Sequence, residues 1–282
     1  MAPTGDLRWD QAGPHTIIDR ALEPALAGLP ADPIDLCRAA QGLVLLPDLA
    51  AGFGVPDARH EERSIRSASA VLHRVLELNP APLLHAREPA HRVIGTCRHF
   101  ALMSTAFLRH RSIPARARCG FAGYFVAGKF VDHWITEYRD DAGRWVRVDP
   151  EILDLDVVDQ PEDLAPGTFL TGGEAWRLLR GSGADPGDFG VHGVPHAWGV
   201  AEVRGNAIRD LAALHKVETL PWDEWGQMTA SYEGRTDAAF DALIDQVAEA
   251  CASDDPARLE STYAAEDLRV PADLVEAWPT EP

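Results

Sequence analysis

The chain has 282 residues, of which 46% are apolar and 25% are charged. This balance is typical of a globular protein, and a chain of this length buries about 75% of the surface that its unfolded form exposes. Its formal net charge of −18 argues against duplex nucleic acid and against an anionic membrane, because both attract basic residues. We therefore expect no nucleic acid and no membrane among the partners.

The four cysteines, Cys37, Cys97, Cys119 and Cys251, lie far apart and form no CxxC pair. A disulfide framework or an all-cysteine zinc site would need tighter spacing, so we expect reduced thiols and a cytoplasmic location. The opening segment MAPTGDLRWDQAGPH lacks the basic and apolar regions of a signal peptide. No apolar run approaches the ~20 residues that cross a bilayer.

Helical patterns dominate residues 1–90. Asp32 followed by Pro33 is typical of a helix start, and the apolar residues that follow recur on one helical face. A longer helix is predicted from Asp57 to Leu78. We therefore predict a helical N-terminal region over residues 1–90.

The pattern changes in residues 91–155, which we predict to be the catalytic core. Apolar residues at helical spacing predict a helix over Cys97–His110. The period then falls to two, which predicts strands from Ala115, over Phe130–Tyr138 and over Arg144–Asp149. A weaker strand pattern covers Tyr124–Val126. A helix followed by antiparallel strands indicates an α+β fold rather than repeated βαβ units.

Arg116 and Arg118 alternate with small apolar residues along the first of these strands. Successive side chains of a strand point to opposite faces, so the two arginines share one side. We expect that side to be a solvated face, where an acidic substrate could use one of them.

Residues 156–282 are predicted to form a mainly helical C-terminal region, continuous with the rest in one globular unit. The helices are expected over Gly172–Arg180, Asn206–Lys216 and Asp237–Ala252. The glycine-rich stretch Gly181–Gly190 contains neither GxxxxGK[ST] nor GxGxxG. We therefore expect no phosphate cradle there.

Three residues of the core suit nucleophilic catalysis. Cys97 stands at the predicted start of a helix, where unpaired N–H groups and the helix dipole can lower the pKa of a thiol. His133 lies within a strand and Asp149 ends its hairpin partner, so the hairpin can place the two side chains near each other. A thiolate nucleophile needs such an acid/base and a group that holds it.

Several motifs follow one another in this region: GTCRHFALMSTAFLRHRSIPARARCGF, then DHWITEY, then GRWVRVDPE. In this order they resemble the core of the transglutaminase-like superfamily, which combines a cysteine at a helix start, a GIPAR strand, an HxWxE strand and a terminal DP. The resemblance implies a papain-like α+β core, with the cysteine helix packed on an antiparallel sheet. It also implies Cys97 as the nucleophile, His133 as the acid/base and Asp149 as the residue that orients the imidazole, without a metal or an organic cofactor.

The sequence departs from the family's motifs in two places. Ser112 replaces the glycine of GIPAR. Trp134 follows His133 directly, whereas the family usually has its tryptophan one position later, where Ile135 stands. These differences concern the shape of the pocket more than the three catalytic candidates.

Two further features accompany the resemblance. Family members often bind the oxyanion with the N–H of the cysteine and an upstream side chain, for which His85 and His91 are the candidates here. The segment RGNAIRDLAALHKVETLPWDEWG also resembles one that accompanies such cores in some bacterial proteins. We attach no chemistry to it.

These residues predict cysteine-dependent acyl transfer on an amide, peptide or thioester substrate in a bacterial cytosol. Cys97 would form an acyl-enzyme, which either water or an amine acceptor would then attack. One alternative is that the transglutaminase-like fold is a catalytically silent binding or scaffold module. Another is a zinc hydrolase that uses a carboxylate with His192 and His196, which are spaced four apart in HGVPH.

Overall fold

The computed structural model describes residues 7–275, and it confirms the α+β class. The helices are α1 (Glu23–Leu26), α2 (Pro33–Gln41), α3 (Pro47–Ala50), α4 (Ala68–Leu78), α5 (Cys97–His110), α6 (Gly172–Ser182), α7 (Val200–Leu214), α8 (Met228–Tyr232), α9 (Ala238–Ser253), α10 (Pro256–Tyr263) and α11 (Ala272–Val275). The strands are β1 (Val44–Leu45), β2 (Val93–Ile94), β3 (Ala115–Ala122), β4 (Phe130–Arg139), β5 (Trp145–Val148), β6 (Phe169–Thr171) and β7 (Phe189–Gly190). Within this range no helix combines the length and the apolar character needed to cross a membrane.

The central sheet has the strand order β5-β4-β3-β6, and β7 pairs with β4 in parallel. β4 and β5 form the predicted antiparallel hairpin, in which Thr136 lies opposite Val148. One residue further along, Asp149 is therefore level with Ile135, two positions from His133 on β4. The register of this hairpin brings His133 and Asp149 to the same end of the sheet.

Helix α5 begins at Cys97 and ends at His110, as the sequence predicts. Its first turn is held by His99, which accepts the Thr96 backbone N–H through Nδ1 at 3.1 Å and donates through Nε2 to the Ile65 carbonyl at 2.9 Å. Burial lowers the pKa of His99 to about 3, so the ring is neutral and can accept with one nitrogen while donating with the other. These bonds fix the position of Cys97.

Gly95 leads the chain into α5 where neighbouring atoms leave no room for a side chain. A Cβ at this position would lie 2.8 Å from Cβ of His99 and 2.8 Å from Cγ1 of Val44. Val44 belongs to β1, which pairs in parallel with β2 just before α5. Any larger residue at position 95 would therefore push the start of α5, and with it Cys97, away from β1.

Helix α7 is bound to the central sheet by buried polar side chains. Asp210 pairs with Arg118 through two bonds of 2.8 Å, and it also accepts the Cys119 backbone N–H at 3.1 Å. Asn206 donates to the Gly120 carbonyl at 3.1 Å. Both side chains belong to the RGNAIRD segment, which therefore anchors α7 on β3.

Arg116 and Arg118 do not lie on a solvated face, which corrects the expectation drawn from their alternation. Each is 3% exposed, and they bind Glu137 of the neighbouring strand at 2.7 and 2.8 Å. Burial raises the pKa of Glu137, but the positive charges around it outweigh burial and hold this pKa well below its usual range. Asp210 of α7 and Asp254 after α9 pair with the same arginines, so this face is covered by helices.

The single helix expected over Asp57–Leu78 is two elements. A 3-10 helix spans Asp57–Ser64 and is followed, after a break, by α4. At the break the carbonyls of Ile65 and Arg66 accept hydrogen bonds from the buried guanidinium of Arg98, at 3.3 and 2.6 Å. The helix is interrupted because these carbonyls bind α5 instead of the next turn, a contact that helical periodicity cannot reveal.

The segment after α7 crosses α5 and joins it to the C-terminal region. Glu218 pairs with Arg109 at 3.0 Å, with both side chains fully buried, and its backbone carbonyl accepts Nε of Arg98 at 3.0 Å. From the other end of the chain, Trp9 donates Nε1 to the Leu214 carbonyl at 3.0 Å. Residues far apart in sequence therefore share buried contacts around the helix that carries Cys97.

Candidate active site

The structure brings Cys97, His133 and Asp149 together. Cys97 is the first residue of α5 and is half-buried, His133 is buried within β4, and Asp149 is buried directly after β5. The Cys97 Sγ lies within 4.8 Å of a ring nitrogen of His133. Nε2 of His133 is bonded to Oδ2 of Asp149 at 2.8 Å, which leaves Nδ1 as the nitrogen for Cys97.

The Asp149 carboxylate is held by two further donors. The Tyr124 hydroxyl donates to Oδ2 at 2.5 Å, and the Glu151 backbone N–H donates to Oδ1 at 3.0 Å. Tyr124 lies in the loop between β3 and β4, so the weak strand predicted over Tyr124–Val126 is wrong. Strand periodicity cannot identify such a contact, since it depends on how the loop folds back over Asp149.

Phe125 packs against the imidazole from the same loop. The ring centroids of Phe125 and His133 are 5.0 Å apart, with an interplanar angle of 76°. Together with the bond from Tyr124 to Asp149, this contact covers the His133–Asp149 pair. The loop therefore limits the orientations that the imidazole can take.

The charges at the site favour an imidazolium next to the thiol. Burial lowers the pKa of His133, but the charge of Asp149 and its hydrogen bond outweigh burial and raise this pKa well above its usual value. Burial also raises the pKa of the Cys97 thiol, although His133 acts in the opposite direction. The Cys97 pKa is therefore raised rather than lowered as expected, because burial outweighs the hydrogen bond and the charge of His133. A thiolate formed here lies beside a positive charge.

Glu151 is a third titratable group at the thiol, to which the sequence analysis assigned no role. One of its carboxylate oxygens lies within 4.8 Å of both Cys97 Sγ and a ring nitrogen of His133. Burial raises the pKa of Glu151 to about 7, against the opposing charge of His133. Its Oε2 is buried and has no hydrogen-bond partner within the described chain. The signal in the sequence is its position two residues after Asp149.

Cys97, His133 and Glu151 also form a group whose geometry could hold a metal ion. Among residues 7–275 it is the group of this kind that the structure contains. Thiolate, imidazole and carboxylate are all ligands that zinc accepts. His192 and His196 are exposed on a turn and belong to no such group within that range. The zinc site considered from HGVPH therefore lacks the side-chain arrangement that it would need.

Comparison with known families adds a second line of evidence to this geometry. A sequence model of the transglutaminase-like superfamily matches residues 69–150. The chain carries a transglutaminase-like domain. The matched range contains Cys97, His133 and Asp149 and begins in α4, upstream of residue 91, where the sequence analysis placed the start of the core. Family and geometry together indicate cysteine-based catalysis.

One solved structure is a distant neighbour of the chain. It is a protein from Cytophaga hutchinsonii, named as a candidate cysteine protease, with 18% sequence identity and a TM-score of 0.21. The match covers 55% of this chain and 48% of that protein, so the chain spans about half of the neighbour's length. The comparison with curated proteins found no similar sequence.

The backbone N–H of Cys97 is the group expected from the resemblance to bind the oxyanion. It lies in the first turn of α5, where N–H groups have no partner within the helix. His85 and His91 are both exposed, and neither joins the cluster of donors at the thiol. The structure thus does not bring the two upstream histidines to the site.

A cavity of about 880 Å³ lies next to the candidate site of the transglutaminase-like domain. Phe125, Glu151 and Phe100 of α5 are among the residues that line it. The remaining walls come from three parts of the chain. They are the region of α2, β1 and α3, the loops around residues 84–92, and the segment that follows Glu151.

Proposed function

We propose that this protein catalyses acyl transfer from an amide, peptide or thioester substrate through a covalent intermediate on Cys97. The observation that carries the proposal is the alignment of Cys97 Sγ, the His133 ring and the Asp149 carboxylate, the last two joined at 2.8 Å. In this arrangement a nucleophile, an acid/base and an orienting group act as a unit.

The first half of the reaction forms the acyl-enzyme. Neutral His133 takes the proton of Cys97, which gives a thiolate–imidazolium pair, and Sγ attacks the carbonyl carbon of the substrate. The Cys97 N–H stabilises the negative charge that develops on the carbonyl oxygen. The His133 imidazolium then donates its proton to the leaving nitrogen of an amide, the C–N bond breaks, and a thioester remains on Cys97.

The second half releases the acyl group. His133, now neutral, takes a proton from water, and the water oxygen attacks the thioester carbon. The C–S bond breaks, and a carboxylic acid leaves. We propose hydrolysis as the main outcome, because exposed residues line the cavity and water can reach the thioester. A primary amine that enters the same cavity would instead give a new amide.

A catalytically silent module remains the second hypothesis. An idle site would have no need of the bonds that Tyr124, Glu151 and His133 make to Asp149, and this argues for an active enzyme. The decisive experiment is intact-mass detection of an acyl adduct, with Cys97→Ala as control. We keep a reducing, cytoplasmic setting as part of the proposal, because all four cysteines are free.

A further inference from the structure

Exposed apolar side chains concentrate around one cavity of the molecule. Among residues 7–275, eight large apolar side chains are exposed, and six of them line the cavity beside Cys97. The six are Leu49, Phe53, Leu84, Phe125, Leu155 and Val157. The other two are Ile17 and Trp222. A cluster of exposed apolar surface of this kind is typical of a binding site.

The cavity borders the proposed site through two residues of its wall, and Cys97, His133 and Asp149 lie behind that wall. Phe125 lies in its wall and also packs on the His133 ring, with 5.0 Å between the centroids. Glu151 lies in its wall and brings a carboxylate oxygen within 4.8 Å of Cys97 Sγ. The cavity and the proposed site therefore share Phe125 and Glu151 as neighbours.

The charged and polar side chains in the cavity wall are already engaged with the protein. Arg38 pairs with Asp35 at 3.1 Å and with Asp154 at 2.9 Å. Gln41 donates to the carbonyls of residues 151 and 153 at 3.1 and 2.7 Å, and Nε of Arg92 donates to the carbonyl of residue 87 at 2.7 Å. The polar groups that remain for a ligand are the terminal nitrogens of Arg92, the exposed edges of the Arg38 ion pairs and the unpartnered Oε2 of Glu151.

We propose that this cavity binds a long apolar acyl group, such as an octanoyl chain, whose carbonyl carbon is the one that Cys97 attacks. The inference rests on the proposed acyl transfer and names its substrate class. The volume, about 880 Å³, falls within the range of small-molecule pockets. A peptide is a poorer occupant, because the backbone N–H and C=O groups of each of its residues need hydrogen-bond partners, whereas six exposed apolar side chains line this cavity.

Glu151 is well placed to bind the one polar part of such a substrate. Its carboxylate has one oxygen within 4.8 Å of Cys97 Sγ and a buried Oε2 without a partner in the described chain, so an amide N–H near the thiol can reach this carboxylate. A hydrogen bond there would satisfy the buried oxygen of Glu151 while the chain fills the apolar part of the cavity. In this orientation the acyl chain points away from the thiol into the cavity. The amide nitrogen points toward Glu151.

The test compares p-nitrophenyl esters with acyl chains of two to eight carbons on the full-length protein. Burying each added CH₂ group is expected to raise kcat/KM about fourfold. Leu84→Asp, at a position that is 51% exposed, should flatten this dependence, and Leu155→Asp should do the same. Ile17→Asp is the matched control, since Ile17 is 54% exposed and lies outside the cavity; it should keep the wild-type dependence.

A rate that does not depend on chain length, or equal effects of Leu84→Asp and Ile17→Asp, would overturn the proposal. Binding of octanamide to Cys97→Ala, followed by calorimetry, separates this proposal from acyl transfer itself. Octanamide should bind, and Leu84→Asp should weaken its binding at least about tenfold. Binding without any acylation would contradict the enzymatic function alone, whereas acylation without binding of octanamide would contradict the apolar acyl site alone.

Discussion

Tyr124 donates its hydroxyl proton, at 2.5 Å, to the same Asp149 oxygen that binds His133. The two donors share the charge of one carboxylate atom. Burial and the charge of Asp149 raise the pKa of Tyr124 well above its usual value, so the phenol keeps its proton. Tyr124 is therefore a positioning residue for the His133–Asp149 pair.

Replacing Tyr124 by phenylalanine removes this donor and leaves the ring in place. We expect kcat to fall about tenfold with little change in KM, since a hydrogen bond to a charged group is worth about 1.5–3 kcal/mol. With less of its charge neutralised, Asp149 should also raise the pKa of His133 further, so the rise of kcat with pH should move to higher pH. Steady-state kinetics across pH measure both effects.

Asp149→Asn gives the largest loss of kcat expected from disturbing the His133–Asp149 pair, because the comparable change in a serine triad lowers kcat about 10⁴-fold. A Tyr124→Phe variant with a raised KM but an unchanged pH profile would show that Tyr124 only shapes the pocket.

Cysteine labelling distinguishes Cys97 from the three other thiols. Cys97 is half-buried, whereas the others are fully buried, and burial raises the pKa of Cys37 to about 12 and those of Cys119 and Cys251 well above the usual range. Iodoacetamide at pH 8 should therefore modify Cys97 at least about tenfold faster than any of the others. Peptide mass spectrometry measures the four rates in one sample.

His133→Ala is the matched variant for the labelling experiment. The hydrogen bond and charge of His133 lower the Cys97 pKa against burial, so their loss should slow the modification of Cys97 and leave the other three rates unchanged. Uniform labelling of all four cysteines, or a Cys97 rate that does not respond to His133, would contradict this view of the site.

Ser112 occupies a backbone conformation that favours glycine. Its φ of 60° lies in the left-handed region, which costs a residue with a side chain about 1–2 kcal/mol. Ser112→Gly should raise the free energy of unfolding by about 1 kcal/mol, equivalent to about 2–4 °C in Tm. Thermal unfolding followed by circular dichroism measures this shift.

Ser112→Ala provides the control, because alanine keeps the Cβ and should not stabilise the protein. Equal Tm values for the glycine and alanine variants would show that the backbone at this position is not strained. The experiment also tests the departure from the GIPAR motif in physical terms, since the glycine of the family would fit the conformation found here.

Glu151 makes the stability of the protein depend on pH. Its pKa rises from 4.5 to about 7 on folding, mainly through burial. Between these values the folded protein holds a proton that the unfolded chain has lost, so this contribution to stability falls as pH rises from about 4.5 to about 7. Glu151→Gln cannot ionise, so its free energy of unfolding should rise relative to the wild type across this window, by about 3 kcal/mol.

Urea unfolding of both proteins at pH 4.5 and pH 7.5 measures this difference. Taking the variant relative to the wild type cancels the titration of those groups that do not interact with Glu151. If the free energies of unfolding of the two proteins change in parallel with pH, Glu151 is ionised in the folded protein and does not have the buried environment described above.

Local signals in the sequence predict those parts of the site that neighbouring residues determine. The bounds of α5 follow from its apolar spacing, and the hairpin of β4 and β5 follows from alternation and the turn at Gly143. These two elements are enough to place Cys97 and His133.

Other features depend on contacts between distant segments and were therefore not predictable. The alternation of Arg116 and Arg118 is the same whether the partner is water or the buried carboxylate of Glu137. The Cys97 pKa depends on how deeply the rest of the chain buries the thiol, which the position at a helix start does not determine. Tyr124 reaches Asp149 only because its loop folds back over the sheet.

The most direct test of the central claim is the mass of the intact protein after incubation with p-nitrophenyl octanoate, followed by mapping of the modified peptide. We predict one octanoyl adduct per chain, located on Cys97, which decays on removal of the ester as water attacks the thioester. The adduct should persist longer in Asp149→Asn, because His133 is less able to activate water. Absence of an adduct on Cys97, or the same adduct in Cys97→Ala, would contradict the assignment of Cys97 as the nucleophile.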